Sequence, residues 1–181
     1  MIWGFTSDQH FGHHNIIEHA ERPFSGLTEM HEVMIERYNA IVPEDALVVH
    51  VGDVIFRGSH AWARAILARL NGRKILVRGN HDRGFIRCHN FGFEVVVDEL
   101  HMSFGDRQVR VNHFGYAFDG SLKYPDRFKD RRPPRVKGEV LVHGHTHSPK
   151  QRQGNQIHIG VDAWDFAPVP LGAVEALVRE I

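Results

Sequence analysis

Ala46-Leu47-Val48-Val49-His50-Val51-Gly52-Asp53 is an apolar run too short for a globular helix, and it stops at a glycine and a carboxylate. Such a run reads as a buried strand with a functional acid at its C-terminal tip. The pattern occurs on either side of it as well. Upstream, Ile2 to Ser7 reads as a strand that runs straight into Asp8 and His10; downstream, Lys74-Ile75-Leu76-Val77 delivers Arg78-Gly79-Asn80-His81-Asp82. Asp8 and His10 are two apart, so extended backbone would project both on one side, within reach of one ion.

The stretches between these strands carry helical signals. Histidine-rich Gln9 to Arg22 reads as a loop with one turn of helix, Thr28 is a candidate cap, and Val33, Met34, Tyr38 and Ile41 fit one helical face. Ser59 can cap a second helix through Leu70, with Trp62, Ala65, Ile66 and Leu70 inward and Asn71-Gly72 closing it. Beyond Glu94 the rhythm changes to strands without helices between them: Glu94 to Val97, Leu100 to Phe104, Gln108 to Asn112, Glu139 to Val142 and Gln156 to Gly160. A last helix runs from Leu171 to Glu180. This order predicts an α/β fold of two packed sheets with helices outside, the second sheet more antiparallel.

Composition narrows the function classes. The chain has 181 residues, 42% of them hydrophobic, which suits one domain over residues 1–181 with a real core. Lysine plus arginine and aspartate plus glutamate are equal at 22 each, so no global field marks a nucleic-acid or membrane binder. The single Cys88 excludes an intramolecular disulfide and a cysteine-based zinc ribbon, and a cytoplasmic location is expected. Met1 to Phe5 lacks the marks of a signal peptide, and no run approaches a membrane span of roughly 18 residues. Histidine is the outlier at 15 copies, spread from His10 to His158 and not run together as in a tag.

Five of those histidines fall in short segments with metal-ligand chemistry: Asp8-Gln9-His10, Gly52-Asp53, Gly79-Asn80-His81-Asp82, Asn112-His113 and Gly144-His145-Thr146-His147. Carboxylate, imidazole and carboxamide oxygen without thiolate suit borderline to hard ions better than copper(I). Each segment follows an apolar run, where open α/β sheets gather their ligand sites. In this order the segments resemble the calcineurin-like metallophosphoesterase superfamily, over Asp8 to His147.

That resemblance implies a four-layer α-β-β-α sandwich of two mixed β-sheets flanked by helices, and a site holding two divalent metal ions. Manganese is favoured; iron, zinc, cobalt and nickel are alternatives. One ion would be held by Asp8, His10, Asp53 and His147, the other by Asp53, Asn80, His113 and His145, with Asp53 bridging. His81 would face the substrate and assist the leaving group, with Asp82 orienting it. The Asn112-His113-Phe114-Gly115 segment lacks the family's Ser-His-x-Pro flavour; His113 is preferred to His101 because it follows an alternating strand.

Arg57, His13 and His14 are candidate contacts to a substrate phosphate, since guanidinium matches phosphate geometry and the two histidines follow the first motif. Arg127, Lys129, Arg131, Arg132, Arg135 and Lys137 form a basic cluster that suits either a solvated loop or a strip meeting a polyanion. The expected function is hydrolysis of a phosphomonoester or phosphodiester, nucleotide-like in preference, by a metal-bridging hydroxide. The alternatives are a nuclease using the same site on DNA or RNA, and a non-catalytic scaffold of the same fold. Apolar positions on the last helix would allow a homo-oligomer.

Overall fold

A computed structural model describes residues 1–82, 84–116 and 128–181. In chain order its elements are β1 (Ile2–Thr6), α1 (Ile16–His19), α2 (Leu27–Ile41), β2 (Leu47–His50), α3 (His60–Ala68), β3 (Arg73–Val77) and α4 (Phe85–Phe91). There follow β4 (Val95–Val97), β5 (Leu100–Phe104), β6 (Arg107–Val111), β7 (Val140–His143), β8 (Arg152–Gln153), β9 (Gln156–His158), β10 (Val169–Pro170) and α5 (Leu171–Arg179).

The strands form two five-stranded mixed sheets, ordered β10-β1-β2-β3-β4 and β5-β6-β7-β9-β8. In the first, β1 to β4 are parallel and β10 joins β1 antiparallel. In the second, β6, β7 and β9 are parallel and only the edges are antiparallel. The second sheet is therefore the more antiparallel of the two, as expected, with its antiparallel pairs at the rims. The cause lies in the connections: the chain between β6 and β7 is long enough to cross over, whereas β5 and β6 are joined by a hairpin turn at Gly105-Asp106.

One apolar cluster fills the space between the sheets, with Phe5, Val49, Val51 and Val77 from the first meeting Val109, Val111, Val140, Val142 and Ile157 from the second. A second cluster joins Met30, Met34, Ile66, Leu67, Cys88 and Phe91 on α2, α3 and α4 to Val48, Leu76 and Val96 of the first sheet. Val174 and Val178 of α5 extend the inter-sheet core against β1, β9 and β10. Among the described residues no helix is long and apolar enough to cross a membrane.

The helices differ in detail from the sequence pattern. Ser59 caps α3 as expected, its hydroxyl accepting the Trp62 N–H at 3.1 Å. The start of α2 lies at Gly26 and not at Thr28; Glu29 reaches back to accept both the N–H and the hydroxyl of Ser25 at 2.6 Å, which secures the first turn. Its buried face is Met30, Met34, Ile35 and Tyr38, while Ile41 is exposed because the helix ends there before Pro43. In α3 Ala63 and Leu67 are inward and Ala65 faces water. Seven-residue α4 buries only Cys88 and Phe91, too little periodicity to read from sequence.

Candidate metal centre

All five motif segments lie just beyond the carboxyl ends of β1, β2, β3, β6 and β7. Main-chain bonds lace these tips together: Asp8 N–H donates to Gly52 O and His10 N–H to Asp53 O, both at 3.0 Å, and Val161 N–H to Ser7 O at 3.0 Å. Asp8, His10, Asp53, His145 and His147 all have positive φ, between 51° and 70°. The convergence of Asp8 and His10 is thus made by left-handed backbone past the end of β1 and not by the pleat. Each such residue costs roughly 1 kcal/mol or more, so five together approach the net stability of a domain, about 5–15 kcal/mol. The lacing hydrogen bonds hold what local preference opposes.

Two motif glycines are required by close approach. A Cβ on Gly79 would collide with Asp53 Oδ1, and one on Gly144 with Asp8 Oδ2. The carboxylates are packed against bare backbone.

The side chains gather around Asp53 Oδ2. His113 Nε2 lies 3.5 Å from it, His10 Nε2 3.6 Å and His81 Nε2 3.8 Å. Three groups have ligand atoms within 4.8 Å of one another: Asp8 with His10 and His147, Asp53 with His113 and His145, and His10 with Asp53 and His81. Asn80 Oδ1 joins the second group at 3.2 Å from His113 Nε2, which is also 3.2 Å from His145 Nδ1. Every residue anticipated as a ligand is therefore brought into one cluster. His101 is not; it is exposed on β5 and bonded to Glu99 at 2.7 Å.

The donor set fits metal ions. Asp8 Oδ1 and His10 Nε2 are buried atoms with no protein hydrogen-bond partner, 3.9 Å apart, an arrangement that is costly unless a cation meets both. The outward nitrogens are spoken for: His113 Nδ1–H donates to Val51 O at 2.8 Å and His147 Nδ1–H to Asp162 Oδ2 at 2.8 Å, which leaves each Nε2 facing the cluster. Burial holds His10 well below the usual imidazole range and, with the His113 charge, takes His145 to about 3. Burial alone would lower His113 too, but the Asp53 charge and hydrogen bond overcome it and raise His113 to about 9. Against its own burial, Asp53 is held far below the carboxylate range by His113. The pocket thus favours a proton at His113, while His10 and His145 are held in the neutral form that a metal ion requires.

Asp82 supports the loop beneath Asp53. Its Oδ2 accepts the N–H of Asp53 at 2.6 Å and of Gly79 at 2.9 Å, so it orders the backbone that carries Asp53. Burial and the neighbouring Asp53 charge raise it to about 6. Asp53 Oδ1 in turn accepts the His81 N–H at 2.9 Å.

Of the substrate candidates, His13 sits beside the cluster, Nδ1 3.1 Å from His10 Nδ1 and its ring stacked on Phe56 at 3.6 Å. Burial and the nearby His81 lower it to about 4. His14 is exposed, and among the described residues no hydrogen bond or ring contact ties it to the cluster; the turn into α1 sends adjacent residues apart. Arg57 lines a cavity with His81. Of the basic cluster, Arg127 lies outside the described residues. Arg131 reaches Gly79 O at 3.4 Å and lies 4.8 Å from the centroid of the Phe114 ring. Arg132 donates to Gly115 O at 2.8 Å.

Sequence reading missed the outer support. Buried Arg22 donates to Asp162 at 2.7 and 3.0 Å, to Asp8 O at 2.7 Å and to Gln9 O at 3.1 Å. It thereby ties the Asp8 loop to the acid that orients His147. Asp162 follows β9 in the run Ile159-Gly160-Val161-Asp162, a strand tip of the same type as Gly52-Asp53, and that was the available signal. Ser7 donates to Asp8 Oδ2 at 2.6 Å, leaving Oδ1 for the cluster.

Comparison with known proteins agrees with this geometry. The chain is 31% identical to the Gene 66 protein of Mycobacterium phage D29 over 99% of its own length and 96% of the relative's. It is 28% identical to an uncharacterised protein of Methanocaldococcus jannaschii over 96% of this chain and 89% of that one. A crystal structure of an Aquifex aeolicus protein of unknown function shares the fold, with TM-score 0.73 and 24% identity, covering 96% of this chain and 97% of that one. Residues 1–161 match the family profile of the calcineurin-like phosphoesterase superfamily domain, a span that holds all five strand-tip segments, and the chain belongs to that superfamily.

Proposed function

We propose that the chain is a two-metal phosphoesterase, with Asp8, His10, Asp53 and His147 at one ion and Asp53, Asn80, His113 and His145 at the other. The observation that carries this reading is the position of Asp53 Oδ2, with His10 and His113 Nε2 3.6 and 3.5 Å away on opposite members of the ligand set. Divalent ions held there would neutralise phosphoryl charge and lower the pKa of water towards about 7.

The chain's own groups supply the rest. His81 Nε2 donates a proton to the departing oxygen, a contribution of about 10²- to 10⁴-fold in rate. Asp53 Oδ1 fixes the His81 main chain, and Asp82 fixes the loop beneath Asp53. Phe56, whose ring lies 4.7 Å from His81 and 3.6 Å from His13, packs both imidazoles and limits water at the cleft. Arg57 offers its fork to a phosphate oxygen.

His81 also lies within ligand distance of His10 and Asp53, so its role needs a test that separates proton donor from ligand. His81→Ala is expected to keep two manganese ions per chain and lose about 10²- to 10⁴-fold in kcat on monoesters, linear diesters, cyclic nucleotides or oligonucleotides. Loss of one ion would make His81 a ligand. Inert wild-type protein across the whole manganese-supplemented screen would end the phosphoesterase reading.

A further inference from the structure

Two cavities open beside the Asn80-His81-Asp82 turn, and their charges differ. One, of about 550 Å³, is lined by Arg78, Asn80, Asp98, Asn112, Phe114 and Arg131. There Arg78 is already paired with Asp98, at 2.5 and 3.0 Å, so the cavity carries a carboxylate with its guanidinium groups. The other, of about 510 Å³, is lined by Phe56, Arg57, His81, Asp82, Arg87 and Phe91. Among the described residues neither Arg57 nor Arg87 has a carboxylate partner.

What holds these two guanidinium groups is aromatic. Arg57 lies 5.3 Å from the Phe56 ring centroid and Arg87 5.4 Å from that of Phe91. A ring face attracts the cation but satisfies none of its five N–H donors. Among the described residues the one acid lining the cavity, Asp82, is buried and turned to the Asp53 and Gly79 main chain. Two open guanidinium forks therefore share one concave space, of a size within the roughly 300–1,000 Å³ typical of small-molecule pockets.

His81 lines the same space, and in the reading above it faces the departing oxygen. Whatever fills the cavity is then attached to that oxygen. Resting on that reading, we propose that the chain selects phosphate esters whose leaving alcohol bears a phosphate of its own, with Arg87 and Arg57 as the residues that recognise it. In the reaction a water oxygen bonds to phosphorus, the bond from phosphorus to the leaving oxygen breaks, the His81 proton moves to that oxygen, and a water proton is released. The second phosphate is unchanged and serves as a handle. A charge-assisted bond of this kind gives a preference of about 10- to 100-fold.

The test compares substrates that differ by one phosphate: the thymidine dinucleotide with and without a terminal phosphate at each end, and glucose 1,6-bisphosphate against glucose 1-phosphate. Because each ratio of kcat/KM is taken within one manganese-loaded preparation, metal loading cancels. Expected is a preference of about tenfold or more for the added phosphate in at least one pair, falling with salt. The pair that shows it distinguishes a nucleotide from a sugar phosphate source. Arg87→Gln is expected to bring the ratio towards one, and Arg87→Lys to restore part of it. Ratios near one in wild-type protein, or a preference that survives in both Arg87→Gln and Arg57→Gln, would overturn the proposal while leaving the phosphoesterase reading intact. Failure to hydrolyse any of these esters, or bis-nitrophenyl phosphate, would remove both.

Discussion

The two ligand triads are equally buried but held by different means. Asp8, His10 and His147 depend on a chain of charged side chains, in which Arg22 bridges the Asp8 loop to Asp162, and Asp162 orients His147. Asp53, His113 and His145 depend on the backbone, since Val51 O fixes His113 and the main chain that carries Asp53 is itself held, its N–H and that of Gly79 both donated to Asp82. The first triad joins residues 140 positions apart through one ion pair; the second is anchored to strand tips that the sheet already fixes. Disturbing the outer side chains should therefore affect the two triads unequally, whereas disturbing Asp53, which bridges the two ions in the proposed function, should affect both.

The largest effect is expected at the shared residue. Asp53→Asn should weaken both ions and lower activity by more than the roughly 100-fold limit of an outer change; manganese titration by calorimetry together with a rate assay measures it. Unaltered binding of one ion would show that Asp53 serves only the other.

Next comes Asp162→Asn, which leaves buried Arg22 without its counter-charge and offers one acceptor oxygen where Arg22 and His147 used two. About 10- to 100-fold loss of affinity is expected at the first triad, the second unchanged, with about 3 kcal/mol lost in denaturant midpoint experiments. Equal weakening of both sites would erase the contrast between them. On the backbone-held side, Asp82→Asn retains an oxygen for the Asp53 and Gly79 N–H groups and should act more mildly than Asp82→Ala, about tenfold apart in metal affinity. If the two variants behave alike, the carboxylate has a role beyond holding that loop.

A last effect, on stability and not on metal affinity, contrasts the candidate ligand histidines with one buried in the core. His50 is fully buried, its Nδ1 lacks a partner, and Tyr38 Oη is 3.4 Å from its Nε2. Burial, with the Lys74 charge, lowers it to about 3. The unfolded chain takes up this proton near 6.5 and the folded chain only near 3, so stability is lost as pH falls through that window, by roughly 1.4 kcal/mol per unit. His50→Leu should remove this share of the acid sensitivity, so wild type loses ground to the variant between pH 6.5 and 4 in urea melts. A constant difference across that range would show that His50 does not titrate as described.

Sequence made the parallel half of the fold legible because its strands hold short aliphatic runs, such as Leu47-Val48-Val49 and Ile75-Leu76-Val77, each leading to a chemical tip. The two-residue strands β8 and β10 carry no periodicity at all and take their place from neighbours. The same holds within the site. The candidate ligands sit in short motifs and could be read. Arg22 acts through a contact 140 residues away that no local pattern announces, and the role of Asp82 depends on which N–H groups the folded loop presents. The left-handed backbone at Asp8, His10 and Asp53 was hidden because their residue types do not announce it.

The sharing of Asp53 between two cations is tested most directly by titrating metal-free protein with manganese and following electron paramagnetic resonance. Two ions bound per chain with the six-line spectrum collapsed by magnetic coupling are expected. A stoichiometry of one, or two ions giving undiminished and independent six-line signals, would contradict a common carboxylate at the centre.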